Sequence, residues 1–140
     1  MKKMMSIVFF LAAVGFLSSV CIAGGAKEEK AVKAANEWLK LVDGGKYNES
    51  WETAAQYFKN SLTSAQWEQA VSPVRKPLGN VLKRTVKSKE YRTALPGAPD
   101  GEYVVIQYAT SFENKNSAVE TVTPALERDG TWRVSGYYIK

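Results

Sequence analysis

Histidine is absent from the 140 residues, and cysteine occurs once, as Cys21. Without an imidazole, a Ser-His-Asp triad, a Cys-His dyad and histidine-mediated proton transfer are all excluded. A lone cysteine allows no intramolecular disulfide, and the usual zinc sites, built from cysteine and histidine, have no ligands. Glycine-rich phosphate loops of the dinucleotide or P-loop kind are missing as well. Asp100-Gly101-Glu102 offers acidic oxygens without the ligand spacing of a calcium loop, and reads as a turn. No metal and no cofactor is therefore expected. The chemistry that remains belongs to carboxylates, lysines and tyrosines.

What is present begins with an export pattern. Met1-Lys2-Lys3 is a basic start, Ile7 to Leu17 is an apolar run, and Cys21-Ile22-Ala23 before Gly24 offers the small residues a signal peptidase needs. The apolar run is shorter than the roughly 20 residues of a membrane-spanning helix. The reading is a cleaved secretory signal over residues 1–23, a loose leader over 24–29 and a single domain over 30–140, exported to the periplasm or the extracellular space. Lipid attachment at Cys21 is the alternative, but Val20 is bulky where that processing wants a small residue, and Ser18 stands where leucine is usual. The mature chain then has no thiol and no transmembrane span, and its core must hold by packing alone.

The formal charge of +5 includes Lys2 and Lys3; without them 17 basic residues face 14 acidic ones, a net of +3. Arg75, Lys76, Lys83, Arg84, Lys87, Lys89 and Arg92 gather in one stretch. It reads as a solvated strand and helix end, or as a surface for an anionic envelope polymer. No nucleic-acid motif accompanies it, so nucleic acid is not an expected partner.

From Lys30 the apolar positions Ala31, Ala34, Ala35, Trp38, Leu39 and Val42 recur at helical spacing, and Asp43-Gly44-Gly45 stops the run. Tyr47, Trp51, Ala54, Ala55 and Phe58 predict a second helix, with Asn48 or Ser50 near its start. Thr63-Ser-Ala-Gln66 has the form of a capping box opening a third. Pro73 and Pro77 predict a kink near Ser72 and an end near Gly79. Thereafter the period becomes that of strands: Val81 to Ser88, Tyr103 to Phe112, Ala118 to Leu126 and Thr131 to Ile139, rich in Val, Ile, Thr, Tyr and Trp. Asp129-Gly130 suggests a two-residue type I′ hairpin between the last two.

Three helices followed by four consecutive strands imply an α+β fold, with the helices packed on one side of a curved antiparallel sheet. That is the cone of nuclear-transport-factor-like and cystatin-like proteins. Strict alternation puts Tyr103, Val105, Tyr137 and Ile139 on the far side of the sheet, apolar enough to expect a second copy or a protein partner there. The four tryptophans fall on faces expected to be buried. Where they do not fill the cone, Trp38, Tyr47, Trp51, Trp67, Gln107, Trp132 and Tyr138 line an apolar ligand pocket, with Arg75 at its mouth or in solvent. Glu37, Glu68, Glu113 and Glu120 read as solvated acids, and Ser50 and Ser64 as helix-start residues rather than nucleophiles. No catalytic residue is assigned.

The stretches Trp38 to Trp51, Arg75 to Gly79, Leu95 to Gln107, Thr110 to Lys115, Ala118 to Pro124 and Asp129 to Tyr138 resemble a bacterial exported family, domain of unknown function 4019. The resemblance implies export and one compact domain, and carries over no catalytic residues. The expected function is that of a non-catalytic accessory or binding protein of the cell envelope, for a small apolar ligand or a protein partner. The alternatives are a cone-fold enzyme using a carboxylate and tyrosine pair, and a binder of anionic polymer.

Overall fold

The computed structural model describes residues 18–140; the basic and apolar regions of the expected signal peptide lie outside them. Helix α1 (Ser18–Asp43) is followed by α2 (Tyr47–Glu52), α3 (Gln56–Ser61) and α4 (Ser64–Arg75). A single 3-10 turn, Lys76–Leu78, leads to the strands β1 (Val81–Arg92), β2 (Tyr103–Phe112), β3 (Lys115–Leu126) and β4 (Trp132–Ile139). Residues 24–29 are helical rather than loose. Tertiary contacts hold that turn: the Lys27 ammonium pairs with Glu102 at 2.6 Å and sits 4.9 Å from the centre of the Tyr91 ring. Among the described residues no helix is long and apolar enough to cross a membrane.

The long helix buries Ala31, Ala35, Trp38, Leu39 and Val42, one stripe at helical spacing. It closes with Gly45 N–H donating to the Val42 carbonyl and Lys46 N–H to that of Leu41, the paired bonds of a Schellman end. The helix expected over Tyr47 to Phe58 is two helices, because at the break between them Ala55 N–H donates to the Val134 carbonyl of β4 at 2.8 Å. This bond covers part of a sheet edge that would otherwise be open. Helix α4 opens on a complete capping box, Thr63 with Gln66, and carries Pro73 in its last turn. Gly79 ends the segment at φ 78°, and a Cβ there would lie 2.7 Å from a Glu113 carboxylate oxygen. No other residue fits without displacing that acid.

The sheet is antiparallel throughout, in the order β1-β2-β3-β4. Its inward side receives the helices and carries Val104, Ile106, Tyr108 and Phe112 from β2, with Ala118, Glu120 and Val122 from β3. The β3–β4 connection is not a two-residue turn. Gly130 N–H donates to the Glu127 carbonyl and Glu127 N–H to that of Thr131, with Gly130 at φ 85°, the pattern of a three-residue loop closed by a glycine bulge.

A second bulge matters more. The β3–β4 register shifts between Thr123 and Pro124, so that Thr123 faces Gly136 whereas Pro124 faces Val134. Proline has no amide to give a neighbouring strand and is tolerated in a sheet interior mainly at such bulges. The extra residue, Ser135, donates its hydroxyl to the Thr123 carbonyl at 2.8 Å, and the strand's facing then inverts. Tyr137 and Ile139, expected to face outward, stand opposite Val122 and Glu120 on the inward side. Tyr138 points outward and is 61% exposed. Tyr103, also expected on the open outer face, is buried, and its hydroxyl donates to the Pro99 carbonyl at 2.5 Å. Of the four residues expected to form an apolar outer patch, only Val105 stands there partly open.

Candidate functional site

Two groups of inward side chains divide the space between helices and sheet. One is aromatic. The Trp38 ring lies 5.8 Å from that of Trp67, 6.3 Å from Phe58 and 5.5 Å from Tyr137, while Phe58 and Trp67 meet edge-on at 5.0 Å. Three of the four indole N–H groups are used. Trp38 donates to the Ser50 carbonyl at 2.8 Å, Trp67 to the Ser50 hydroxyl at 2.9 Å and Trp51 to the Leu62 carbonyl at 2.8 Å. Ser50 is thus no helix cap; buried in α2, it donates on to the Tyr47 carbonyl at 2.7 Å and serves as a polar anchor between two indoles.

The other group is charged. Glu120 is fully buried on β3, against the expectation of a solvated acid. Its Oε1 accepts from Arg84 Nε at 2.8 Å and from the Thr110 hydroxyl at 2.7 Å. Its Oε2 accepts from Arg84 Nη2 at 3.2 Å and from the Tyr137 hydroxyl at 2.5 Å. Arg84 turns its remaining donors to Asp43, at the end of α1, with bonds of 2.8 and 3.0 Å. Arg75, from the end of α4, reaches Asp43 Oδ1 at 3.0 Å, and its guanidinium lies 4.9 Å from the centre of the Phe112 ring. Two acids and two arginines thereby close a charge-balanced chain from α1 and α4 through β1 to β3 and β4. Arg75 is not a pocket mouth. Its side chain is 3% exposed, and its Nε and Nη1 are buried with no partner among the described residues.

Burial, and then the charge of Glu120, hold the Tyr137 phenol far above its ordinary range. Burial likewise pushes Tyr108 up to about 12. For Arg84, burial opposes the charge, but the bonds to Asp43 and Glu120 outweigh it, and the guanidinium is held more firmly charged than usual. A carboxylate offers about four lone-pair positions. Those of Glu120 receive four donors, so this acid has none left for a substrate.

Of the residues predicted to line one pocket, Trp38, Tyr47, Trp51 and Trp67 come together as packing, and Arg75 joins the charged chain. Gln107 lies on the opposite side of the sheet, taking the Ser88 hydroxyl at 3.3 Å, with Thr121 between it and the outward Tyr138. Trp132 meets Trp38 elsewhere: a crevice of about 250 Å3 between α1 and β4 is lined by both, with Ala34, Leu41 and Val134 as walls and Glu37 and Arg133 of opposite charge beside them. The sequence does not bring Asp43, Arg84, Thr110, Glu120 and Tyr137 together: Glu120 is expected in solvent, Tyr137 on the outer face and Arg84 in the basic stretch. One signal was available, since Glu120 shares its parity with Ala118 and Val122 and so belongs to the buried side of β3. Of the basic stretch, Arg75 and Arg84 are spent inside and Arg92 pairs with Glu90 at 2.9 Å; Lys76, Lys83, Lys87 and Lys89 remain exposed.

A family model described as a protein of unknown function, DUF4019, matches residues 34–137, and so spans both buried groups, the crevice, the first three strands and most of β4. The chain belongs to the DUF4019 family. Among curated proteins none matches. The DUF4019 segment begins at the crevice residue Ala34 and ends at Tyr137, the residue turned inward by the β4 bulge.

Proposed function

We propose that this DUF4019 protein is a non-catalytic binding protein of the cell envelope, exported by a secretory signal at residues 1–23, which takes a small apolar ligand in the crevice between α1 and β4. The observation that carries this reading is that Trp38 and Trp132 both line that crevice. Aromatic and aliphatic walls with few polar groups are the usual lining of a small-ligand site. At about 250 Å3 the space is small for a drug-sized molecule and suits a single ring or a short chain. Glu37 and Arg133 flank it and suit a ligand with one polar end.

The rival reading, an enzyme with a carboxylate and tyrosine pair, has its pair in Glu120 and Tyr137. What speaks against it is the saturation of both carboxylate oxygens by protein donors. A homodimer through the outer sheet face has lost Tyr137 and Ile139 to the inward side and Tyr103 to burial. The proposed architecture, a sheet wrapped round the helices as in nuclear-transport-factor-like cones, draws support from the element order and the bulges in β1, β3 and β4.

Tryptophan fluorescence titrated with phenol and with hexanol tests the ligand reading. A saturable change that Trp132→Ala abolishes, with the unfolding transition of the variant retained, supports it; a linear, unsaturated response in the native chain sinks it. Fractionation of cells expressing the chain with and without residues 1–23 tests export. Recovery of both forms in the cytoplasm overturns that part.

A further inference from the structure

A second concavity lies on the outward side of the sheet, where β2 turns into β3. It measures about 240 Å3, and Lys83 and Thr85 of β1, Ser111 of β2 and Asn116 and Ser117 of β3 converge on it around Ala109. Register shifts border it, between Val81 and Lys83 on one side and between Thr110 and Phe112 on the other, and bulges bend a sheet locally. The side-chain bonds of neighbouring residues, Arg84 with Glu120 and Ser88 with Gln107, involve none of the five. Their ammonium, three hydroxyls and amide are therefore unspent donors among the described residues. No carboxylate lines the cleft. The acids nearest in sequence are committed elsewhere: Glu113 accepts the Asn80 amide at 2.8 Å, Glu120 is buried on Arg84, and Glu90 pairs with Arg92.

We propose that this cleft binds a phosphate group. A site with one fixed positive charge, several adaptable hydroxyl donors and no acid repels nothing an oxyanion carries, and each donor strengthens when its acceptor is charged. A sugar fits less well, because no aromatic ring offers a stacking face and no carboxylate accepts its hydroxyls. A carboxylate is planar and is best held by the fork of an arginine; both nearby arginines, Arg75 and Arg84, face the interior. Lysine acts as a point charge toward phosphate, and donors arriving from three strands suit a tetrahedral ion better than a flat one. Lys87 continues the positive charge along the exposed β1 edge and would guide an anion toward the cleft.

The test is a titration of the 15N-labelled protein with inorganic phosphate, glycerol 3-phosphate and acetate at constant ionic strength, followed by amide chemical shifts. Saturable changes centred on Thr85, Ser111 and Ser117 are expected with both phosphates. Lys83→Met should weaken binding about tenfold or more, the loss of one charge-assisted contact. Lys89→Met removes the same charge outside the cleft and should change it less than about twofold. Tighter binding of glycerol 3-phosphate identifies a phosphoester as the source, and tighter inorganic phosphate a free ion; either supports the site. Equal losses from the two lysine variants, acetate binding as tightly as phosphate, or shifts spread along β1 without saturation would overturn it. Both lysines are exposed, and the spectra themselves report that each variant remains folded.

Discussion

Arg75 is buried as completely as Trp38, yet replacing it with methionine should cost the fold almost nothing. Its guanidinium makes one ion pair, to Asp43 at 3.0 Å, and one cation–π contact, with Phe112. A charged hydrogen bond contributes about 1.5–3 kcal/mol and a desolvated cation–π contact about 1–2 kcal/mol. Against these stand two buried donors without partners, each destabilising by about 1–3 kcal/mol. The opposing sums nearly cancel, so Arg75→Met should lie within about 1 kcal/mol of the native stability. Asp43 keeps both bonds from Arg84 in that variant, and no charge is orphaned. Arg84→Met is the contrast. It leaves Glu120, fully buried, with only Thr110 and Tyr137 and no positive charge, a loss of about 3–5 kcal/mol. Urea unfolding with a common slope separates the two. For a slope of about 1.5 kcal/mol/M, their midpoints should differ by about 2 M. Equal losses from Arg75→Met and Arg84→Met would refute the reasoning, because Arg75 would then be supporting the network as fully as Arg84 does.

Further outcomes follow from the same contacts. Glu120→Gln keeps the shape but turns one carboxylate oxygen into a donor facing other donors, and should cost about 3 kcal/mol in urea unfolding; a neutral result would mean that the charge contributes nothing. Deleting Ser135 removes the extra residue but leaves Gly136 and Tyr137 opposite Thr123 and Val122, so Tyr137 stays on Glu120 and urea unfolding should show a loss of only about 1 kcal/mol, that of the Ser135 hydroxyl bond; a loss as large as that from Glu120→Gln would mean that the bulge does more than take up one residue. Tyr108 and Tyr137 both hold their protons more tightly folded than unfolded, so their contribution is complete below the ordinary phenol value of about 10 and is lost as pH rises toward about 12 and beyond. Denaturant midpoints should fall between about pH 10 and 12, and the double variant Tyr108→Phe/Tyr137→Phe should flatten that fall; an unchanged slope would assign it to other groups.

The sequence carried the order of elements, because each transition is marked by local chemistry: the glycine pair after Asp43, the Thr63–Gln66 box, Gly79, and the proline-rich loop before Tyr103. Within the last strand it misled. Alternation assumes an unbroken period of two, and a single bulge inverts every residue beyond it. Pro124 was the available warning, since a proline in a central strand needs an irregularity beside it. Only the pairing with β4 reveals which residue, Ser135, takes up the slack. Glu120 was missed for a different reason. An acid with no partner nearby in sequence reads as solvated, and its partners here are 36, 10 and 17 residues away. Trp38 and Trp132 were recognised as buried aromatics, but their shared crevice depends on how α1 crosses β4, which no local pattern encodes.

The bulge and the buried acid are best understood together. A small domain without disulfides must make one arrangement of helices on sheet clearly better than its neighbours, and aromatic packing alone tolerates sliding. The charged chain does not: Asp43 is tied to Arg84 by two bonds and Arg84 to Glu120 by two more, so a one-residue slip of β1 against β3 would strand a buried carboxylate. Tyr137 joins that chain only because β4 has changed its facing at Ser135. The interior is thus committed to specifying the fold, at a cost visible in the unspent donors of Arg75. Recognition then falls to places where donors and apolar surface remain unspent near solvent, the Trp38–Trp132 crevice and the Lys83 cleft. They lie on opposite sides of the sheet, so Trp132→Ala should leave phosphate shifts unchanged and Lys83→Met should leave the fluorescence response to phenol unchanged. Coupling between the two would mean that the sheet transmits binding from one face to the other, and that the interior network is not the rigid divider argued for it.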